Sequence, residues 1–597
     1  MPKFRLATTL ACSTLALSAL LLSPSQAEAC GGTMCDTGPT AMPVDQTGEN
    51  ILFRITDTTV EAHIQIQYDP ETEAEKFAWV IPVSALPEFE VGSDLFFTNI
   101  LNGTVPSYGN VATSDFCGDD GGDDDLGDEG TSDTGESEGD TGGGPDLPNV
   151  PFEGSVGAFD VAVLAGGTVE GVMQWLGDNG YQQDPAAEPI LAQYIEDDFM
   201  FVALKLSTAA EVGEIHPIVL RYEGVTACVP ITLTRIAAQE DMDIRVFFLG
   251  DSRVVPVNYR HVLVNPLKID WFNSASNYKE VISMAVDSEE ADGNAFVTEY
   301  AGGSNVVSTA GVYSDLWDAD AFLDLGADPI GVIELLEEQS LIFCDLEWDN
   351  VCTTFHPLLQ PMLDEFVPVP EGEDAASFYD CMECYADLVD LEAWDAEAFA
   401  DRLDERIVRP GLNAVDLLSK NSYLTRMYTT ISPVEMNVDP IFRSNATLPD
   451  VASLRMSTQT LHCDGSTTME LPDSRKVTFP AGELLVWPDF QDEMPWAEDV
   501  DAENMAVNTP LISLVDNTEV IDDLLAEWND EDVGGDGGTG GDGDGGTGDE
   551  AGESGGPGAD DENAGCACSA TDDRPAGGVG FGLALLGLAG LVRRRRS

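Results

Sequence analysis

From Thr59 to Tyr68 the chain alternates. Ala62, Ile64, Ile66 and Tyr68 interleave with His63, Gln65 and Gln67. A period of two puts the first set on the buried face of a strand and the second on its other face. The preceding stretch ENILFRI predicts a partner strand, joined to it at Asp57-Thr58, and EKFAWVIPV predicts a third that ends at Pro82 or shortly after. FDVAVLAGG reads as a buried strand. TVEGVMQWLGDNGY then reads as a helix capped by Thr168 and closed at Gly177 or Gly180, and EPILAQYIEDDF as another short helix. MFVALKLS, HPIVLRYEG, ACVPITLTRI and DIRVFFLGDSRVVPVNYR return to strand patterns.

The period changes near Asp320. PIGVIELLEEQ, FHPLLQPMLDEF, SFYDCMECYADLVDLEAW and DAEAFADRLDERIV predict amphipathic helices. In the last, Phe399, Leu403 and Ile407 share one face and Asp395 is the expected cap. YLTRMYTTISPVEMNVDPIF and KVTFPAGELLVWP predict extended structure again. The expected fold class is α+β: an antiparallel-sheet-rich N-terminal part, a more helical part around 320–425, and stabilisation by disulfides.

Both ends carry addresses. MPKFRLATTLACSTLALSALLLSPSQAEAC has Lys3 and Arg5, an apolar run from about Leu6 to Leu22, and small residues at Ala27 and Ala29. That order predicts a secretory signal over 1–29, cut before Cys30. The apolar run is short for a membrane helix. A lipoprotein cut at Cys30 fits poorly, because Ala27 and Glu28 do not match the residues such a cut requires. At the other end, residues 576–592 are apolar or glycine and precede Arg593, Arg594, Arg595 and Arg596. As a helix the stretch spans about 26 Å at ~1.5 Å per residue, marginal for a ~30 Å hydrocarbon core. The arginines would stay cytoplasmic and leave the body outside.

Charge narrows the function classes. There are 109 acidic and 26 basic residues, a net of −83. Nucleic-acid binding through phosphates and adsorption to anionic lipid are both disfavoured. Residues 118–147 hold 12 acidic side chains and no basic one, and 530–562 repeat this. Being rich in Gly and Ser/Thr, both predict extended, self-repelling segments: an insert and a linker over 531–565. No cofactor is expected. A calcium reading of the linker rests on Asp542, Asp544 and Glu553 at positions 1, 3 and 12 of an EF-hand-like loop, but Thr547 replaces the glycine such a loop requires.

Candidate chemistry is sparse. Outside the acidic Gly-rich segments 118–147 and 530–562 there is no G-x-S-x-G elbow, H-E-x-x-H, P-loop or clean G-x-G-x-x-G. Its five histidines (His63, His216, His261, His356, His462) include no pair at helical metal-ligand spacing. His63, Gln65 and Gln67 are read as an ordinary solvated strand face, with a binding face as the alternative. His462-Cys463 is read as part of a disulfide or a buried cysteine rather than a nucleophile pair. Cys381 and Cys384 in CMEC, with Cys344 and Cys352 upstream, are read as disulfides within the four that pin the helical segment to its neighbours. A thiol–disulfide centre and a four-cysteine zinc site are the alternatives. Cys30 and Cys35 form a further candidate pair.

ACGGTMC, ENILFRI, VEAHIQIQY, EKFAWVIPV, the block from FDVAVLAGG to MFVALKLS, and YLTRMYTTISPVEMNVDPIF together resemble the bacterial family designated domain of unknown function 2330, across most of 30–530. The resemblance implies an exported protein and supplies no catalytic residue. The tail, in the order acidic linker, GCACS, short apolar helix and arginines, is similar to the MYXO-CTERM sorting signal of myxobacteria. It implies processing at Cys566, with Cys568 as second candidate, over a 566–597 signal segment. The expected partners are then the export machinery and a C-terminal sorting protease, with membrane contact through the tail helix before processing. The oligomeric state stays open. The expected product is a non-enzymatic binding or structural protein of the cell envelope or outer-membrane surface, or one released outside. The alternatives are a surface hydrolase or thiol oxidoreductase using Cys381/Cys384, and a calcium-dependent adhesin.

Overall fold

The computed structural model describes residues 46–533 apart from 57, 69–77, 116–147, 182–186, 208–209, 211, 225–226, 236–239, 346–350, 483–484, 489, 491–493 and 505. Both address segments, the acidic insert, the linker from 534 onward, Cys30, Cys35, Cys566, Cys568 and the EF-hand-like loop lie outside the described residues, while 531–533 close the helix Thr518–Val533. Among the described residues no helix is long and apolar enough to cross a membrane.

Ten strands form one mixed sheet. In chain order they are β1 (Gln46–Ile55), β2 (Thr59–Tyr68), β3 (Glu88–Val91), β4 (Ile218–Glu223), β5 (Met242–Gly250), β6 (Arg260–Val264), β7 (Ala295–Gly303), β8 (Tyr423–Ile431), β9 (Ala497–Ala502) and β10 (Ile512–Asp516). Across the sheet the order is β10-β9-β6-β7-β8-β5-β1-β2-β4-β3. Pairing is antiparallel except between β1 and β5 and between β6 and β7.

The apolar run Ile51-Leu52-Phe53 explains the centre of this sheet, since a strand covered on both faces reads as continuous hydrophobics. Ile51 and Phe53 pack with Ala62, Ile64 and Val246 against a second sheet built from Ala78–Val83, Asn149–Val156, Phe159–Ala165 and Met200–Leu206. Leu52, Phe247 and Leu249 face the other way, against Phe96, Phe97 and Ile100 of helix Asp94–Thr104 and Leu417 and Leu418 of helix Arg409–Lys420. Each fully buried Phe or Leu contributes about 1.5–3 kcal/mol.

Residues 304–422 are an insertion between neighbouring strands. Gly303 pairs with Tyr423, and the Ser304 amide donates to the Ser422 carbonyl at 3.0 Å. The insertion holds the expected helices around its own core, with Phe399, Leu403 and Ile407 all fully buried. Asp395 caps helix Ala396–Leu403 by accepting from Glu397 and Ala398 amides. Thr168 likewise caps Val169–Asp178.

Two local expectations need correction. ACVPITLTRI is not a strand: Ala227–Cys228 pair briefly and Ile231–Thr234 make a helical turn. The Asp439 carboxylate accepts the Thr232 amide at 2.7 Å, a bond a turn can offer and a strand at this place cannot. SFYDCMECYADLVDLEAW is not one helix either. Helix Ala375–Asp380 ends at Cys381, and a 3₁₀ turn covers Met382–Tyr385. The Cys381–Cys384 bond closes that break.

Candidate functional site

The expected solvated face of β2 is not solvated. His63 is 4% exposed and Glu61 8%, sealed beneath the helix that begins at Asp94. His63 Nε2 and Glu61 Oε1 are 3.0 Å apart, and Arg221 reaches both Glu61 at 3.2 Å and Glu90 at 2.7 Å. Gln65 donates to Asp94 at 3.1 Å, while the side chain of Gln67 falls outside the described residues. Burial alone would raise the Glu61 pKa; His63 and Arg221 more than reverse this and hold the carboxyl well below the usual range. Asp94 is pushed up to about 6 by burial, against the hydrogen bond from Gln65. These groups bond one another and clamp the sheet to its helical cover, so the solvated face does not describe them.

The cysteines also resolve. Cys344 pairs with Cys352 across a hairpin of Ile342–Asp345 and Val351–Thr354, and Cys381 pairs with Cys384. Each bond closes a local loop instead of pinning one segment to another. CMEC follows the end of a six-residue helix rather than preceding a helix after a strand, so the context of a thiol–disulfide centre is missing at this place. Both pairs are oxidised, which leaves no thiolate set for zinc. Cys463 is disulfide-bonded, and His462 bridges Asp115 and Thr468 at 2.8 Å each, so that pair holds no nucleophile.

An open groove of about 910 Å³ runs along the helical insertion between Trp317 and Trp394. Three of the six carboxylates lining it are engaged: Asp318 and Asp395 cap helices, and Asp404 pairs with Arg409.

A cavity of about 590 Å³ lies instead where β6 and β7 part. The two strands pair only at Arg260–Ala295 and His261–Phe296. Beyond that point Val262, Leu263 and Val264 line one side and Val297 and Thr298 another. A bulge between Thr298 and Tyr300 turns Glu299 away to pair with Arg426. Trp271, Tyr108 and Arg455 form a further wall, with Tyr108 edge-on to Trp271 at 5.1 Å and Arg455 bonded to the Tyr108 hydroxyl.

Two polar side chains in this lining each keep one nitrogen unbonded among the described residues. His261 is 6% exposed, and its Nε2 has no hydrogen-bond partner among the described residues. The ring is bonded through its other nitrogen to the Pro256 carbonyl. Burial, helped by the charge of Arg253, pushes its pKa down to about 3. His261 is therefore neutral at pH 7 and presents an acceptor at Nε2. Arg253 donates to the Pro449 carbonyl at 2.9 Å and Thr298 Oγ1 at 3.0 Å, and its Nε is buried without a partner. Opposite them, Asp501 and Asp499 on β9 sit across from His261 and Leu263. Burial and the charges of Asp501, Asp516 and Glu498 push Asp499 up to about 6.

Sequence reading passed over this site. His261 stands there only among the five histidines, and Arg253 only inside the strand pattern DIRVFFLGDSRVVPVNYR. The available signal was weak: RHVLV places a histidine and Leu263 on the face opposite Val262 and Val264. Among the described residues no group of three or more His, Cys, Asp or Glu is arranged to hold a metal.

Residues 24–340 match the family described as an uncharacterized protein conserved in bacteria, DUF2330. The chain belongs to that family. The match is shorter than the 30–530 expected from the resemblance, and it ends inside the helical insertion of this DUF2330 protein. It takes in Arg253, His261, Val297 and Thr298, while Arg455, Asp499 and Asp501 lie beyond it. Comparisons with curated proteins and with solved structures return no match.

Proposed function

We propose that this DUF2330 protein is an exported, envelope-attached binding protein whose small-molecule ligand sits between β6 and β7. One observation carries the binding claim: a mostly apolar cavity of ligand size lined by two polar residues, Arg253 and His261, each of which keeps one buried nitrogen, Nε and Nε2, unbonded among the described residues. An unmade buried hydrogen bond costs about 1–3 kcal/mol, and a ligand that supplies the partner recovers it.

Export is supported by the order of charged, apolar and small residues before Cys30 and by disulfides such as Cys344–Cys352 and Cys381–Cys384, since such bonds persist in oxidising compartments. Attachment is supported by the acidic linker, Cys566 and the apolar helix with its arginines. The linker then acts as a solvated stalk.

Fractionation with intact-mass analysis tests the address. The expected product lacks 1–29 and everything beyond the Cys566 region and is found in the envelope or medium. An uncut cytosolic product overturns it. Native mass spectrometry of protein released from its own cells tests binding, with Val297→Trp filling the cavity. A small-molecule adduct on the wild type and none on the variant is expected. Equal adducts on both, or none on either, overturn the cavity as the site.

A further inference from the structure

The charge pattern of the cavity names a ligand class, an inference that rests on the binding reading above. Arg253 and Arg455 make no ion pair among the described residues, with Asp450 and Glu299 bearing on them only from beyond contact, in a chain where acids outnumber bases 109 to 26. Arg455 gives one N–H to the Tyr108 hydroxyl, and Arg253 keeps its Nε unbonded among the described residues.

On the acidic wall the groups differ among themselves. Glu498 and Asp473 are spent on Arg475, at 2.7 and 2.8 Å. Asp499 and Asp501 have no cationic partner of this kind, and burial raises both above the ordinary carboxylate range. A purely anionic ligand meets these two carboxylates. A purely cationic one meets the arginines. Arg253 and His261 both meet β7: Arg253 donates to Thr298 Oγ1, two residues beyond Phe296, with which His261 pairs. The ligand must therefore set an acceptor beside a donor: a carboxylate for Arg253, and an N–H for His261 Nε2 and the aspartates behind it. Val297, Trp271 and Tyr108 leave room for an apolar remainder.

We infer that the cavity takes a zwitterionic α-amino acid with an apolar side chain, its carboxylate on Arg253 and its ammonium toward His261, Asp499 and Asp501.

The test is calorimetric titration of the full chain with four probes of similar shape. L-phenylalanine is the zwitterion, N-acetyl-L-phenylalanine the anion, L-phenylalaninamide the cation and benzyl alcohol the neutral apolar body. L-phenylalanine is expected to saturate below about 1 mM, with the singly charged probes at least about tenfold weaker. Arg253→Met should weaken L-phenylalanine by about tenfold or more. Asp501→Asn should weaken it too, while narrowing the gap to N-acetyl-L-phenylalanine. Circular dichroism establishes that each variant is folded, and the Asp501 variant reads the inference independently if Arg253→Met does not fold. Equal binding of zwitterion and either ion, or unchanged binding in both variants, overturns the inference. Benzyl alcohol saturating where L-phenylalanine does not overturns the zwitterion and leaves the cavity as a binding site. Silence from all four overturns the amino-acid reading, and the adduct experiment with Val297→Trp then decides the binding reading separately.

Discussion

Glu299 and Arg426 offer a sharp energetic test, because the bulge that shapes the cavity also places this ion pair. Glu299 sits between Thr298 and Tyr300 of β7, and its carboxylate accepts from Arg426 Nε on β8. The side chains are 2% and 5% exposed. Arg426 also donates to Thr104 Oγ1 at 3.3 Å and lies 5.6 Å over the Phe247 ring. Glu299→Gln keeps the shape and removes one charge, leaving a guanidinium buried without its counter-ion. Breaking a buried pair in this way costs about 3–5 kcal/mol. Replacing both partners, as Glu299→Leu with Arg426→Met, removes the stranded charge and should recover most of that loss. Lys476→Ala is the control. Its partner Glu470 is 43% exposed and the lysine 59%, so the loss should stay within about 1 kcal/mol. Urea denaturation followed by tryptophan fluorescence reads the midpoint shift at unchanged slope. If Glu299→Gln costs no more than Lys476→Ala, or the double replacement costs more than either single one, the reasoning about this pair is wrong.

Other outcomes follow from individual contacts. Asp94, Asp287 and Asp499 each have a folded pKa of about 6, above their unfolded value near 3.8. They contribute stability at low pH that is lost as pH rises through about 6, so melting temperature should climb on acidification from pH 7 toward 5, and Asp94→Asn should flatten part of that climb. Glu61 has the opposite sign: its lowered pKa contributes stability above about 4.5 that falls away in stronger acid, and Glu61→Gln should shrink the acid-side loss. Asp395→Ala should destabilise by about 1 kcal/mol in denaturant titration, the usual worth of an N-cap. Gly411→Ala should lower the melting temperature, because a Cβ there would lie 2.1 Å from the Val312 carbonyl oxygen, and backbone must move to admit it. Peptide mapping without reduction should recover Cys344 joined to Cys352 and Cys381 joined to Cys384.

Local structure was well marked wherever one principle dominated. Alternation set β2, a continuous apolar run set the centre of β1, and the caps Thr168 and Asp395 stand where their side chains reach the next amides. The errors came where tertiary partners outweighed local pattern. Asp439 captures the Thr232 amide from 207 residues away and makes a turn of a strand-like sequence. His63 and Gln65 look like a wet face because polar side chains usually are; only the helix starting at Asp94, folded over them, makes the face a buried network. The cavity was harder still. It arises because β6 and β7 separate after two paired residues, and no single stretch of sequence records where two strands stop touching. His261 and Arg253 gain their meaning only from what they fail to bond.

A crystal structure of the folded body grown with L-phenylalanine decides where the ligand sits. The amino acid is expected between Val262 and Val297, its carboxylate at Arg253 and its ammonium near His261 and Asp501. An empty cavity in crystals saturated with the probe, or the probe seated with its charges reversed, would contradict it.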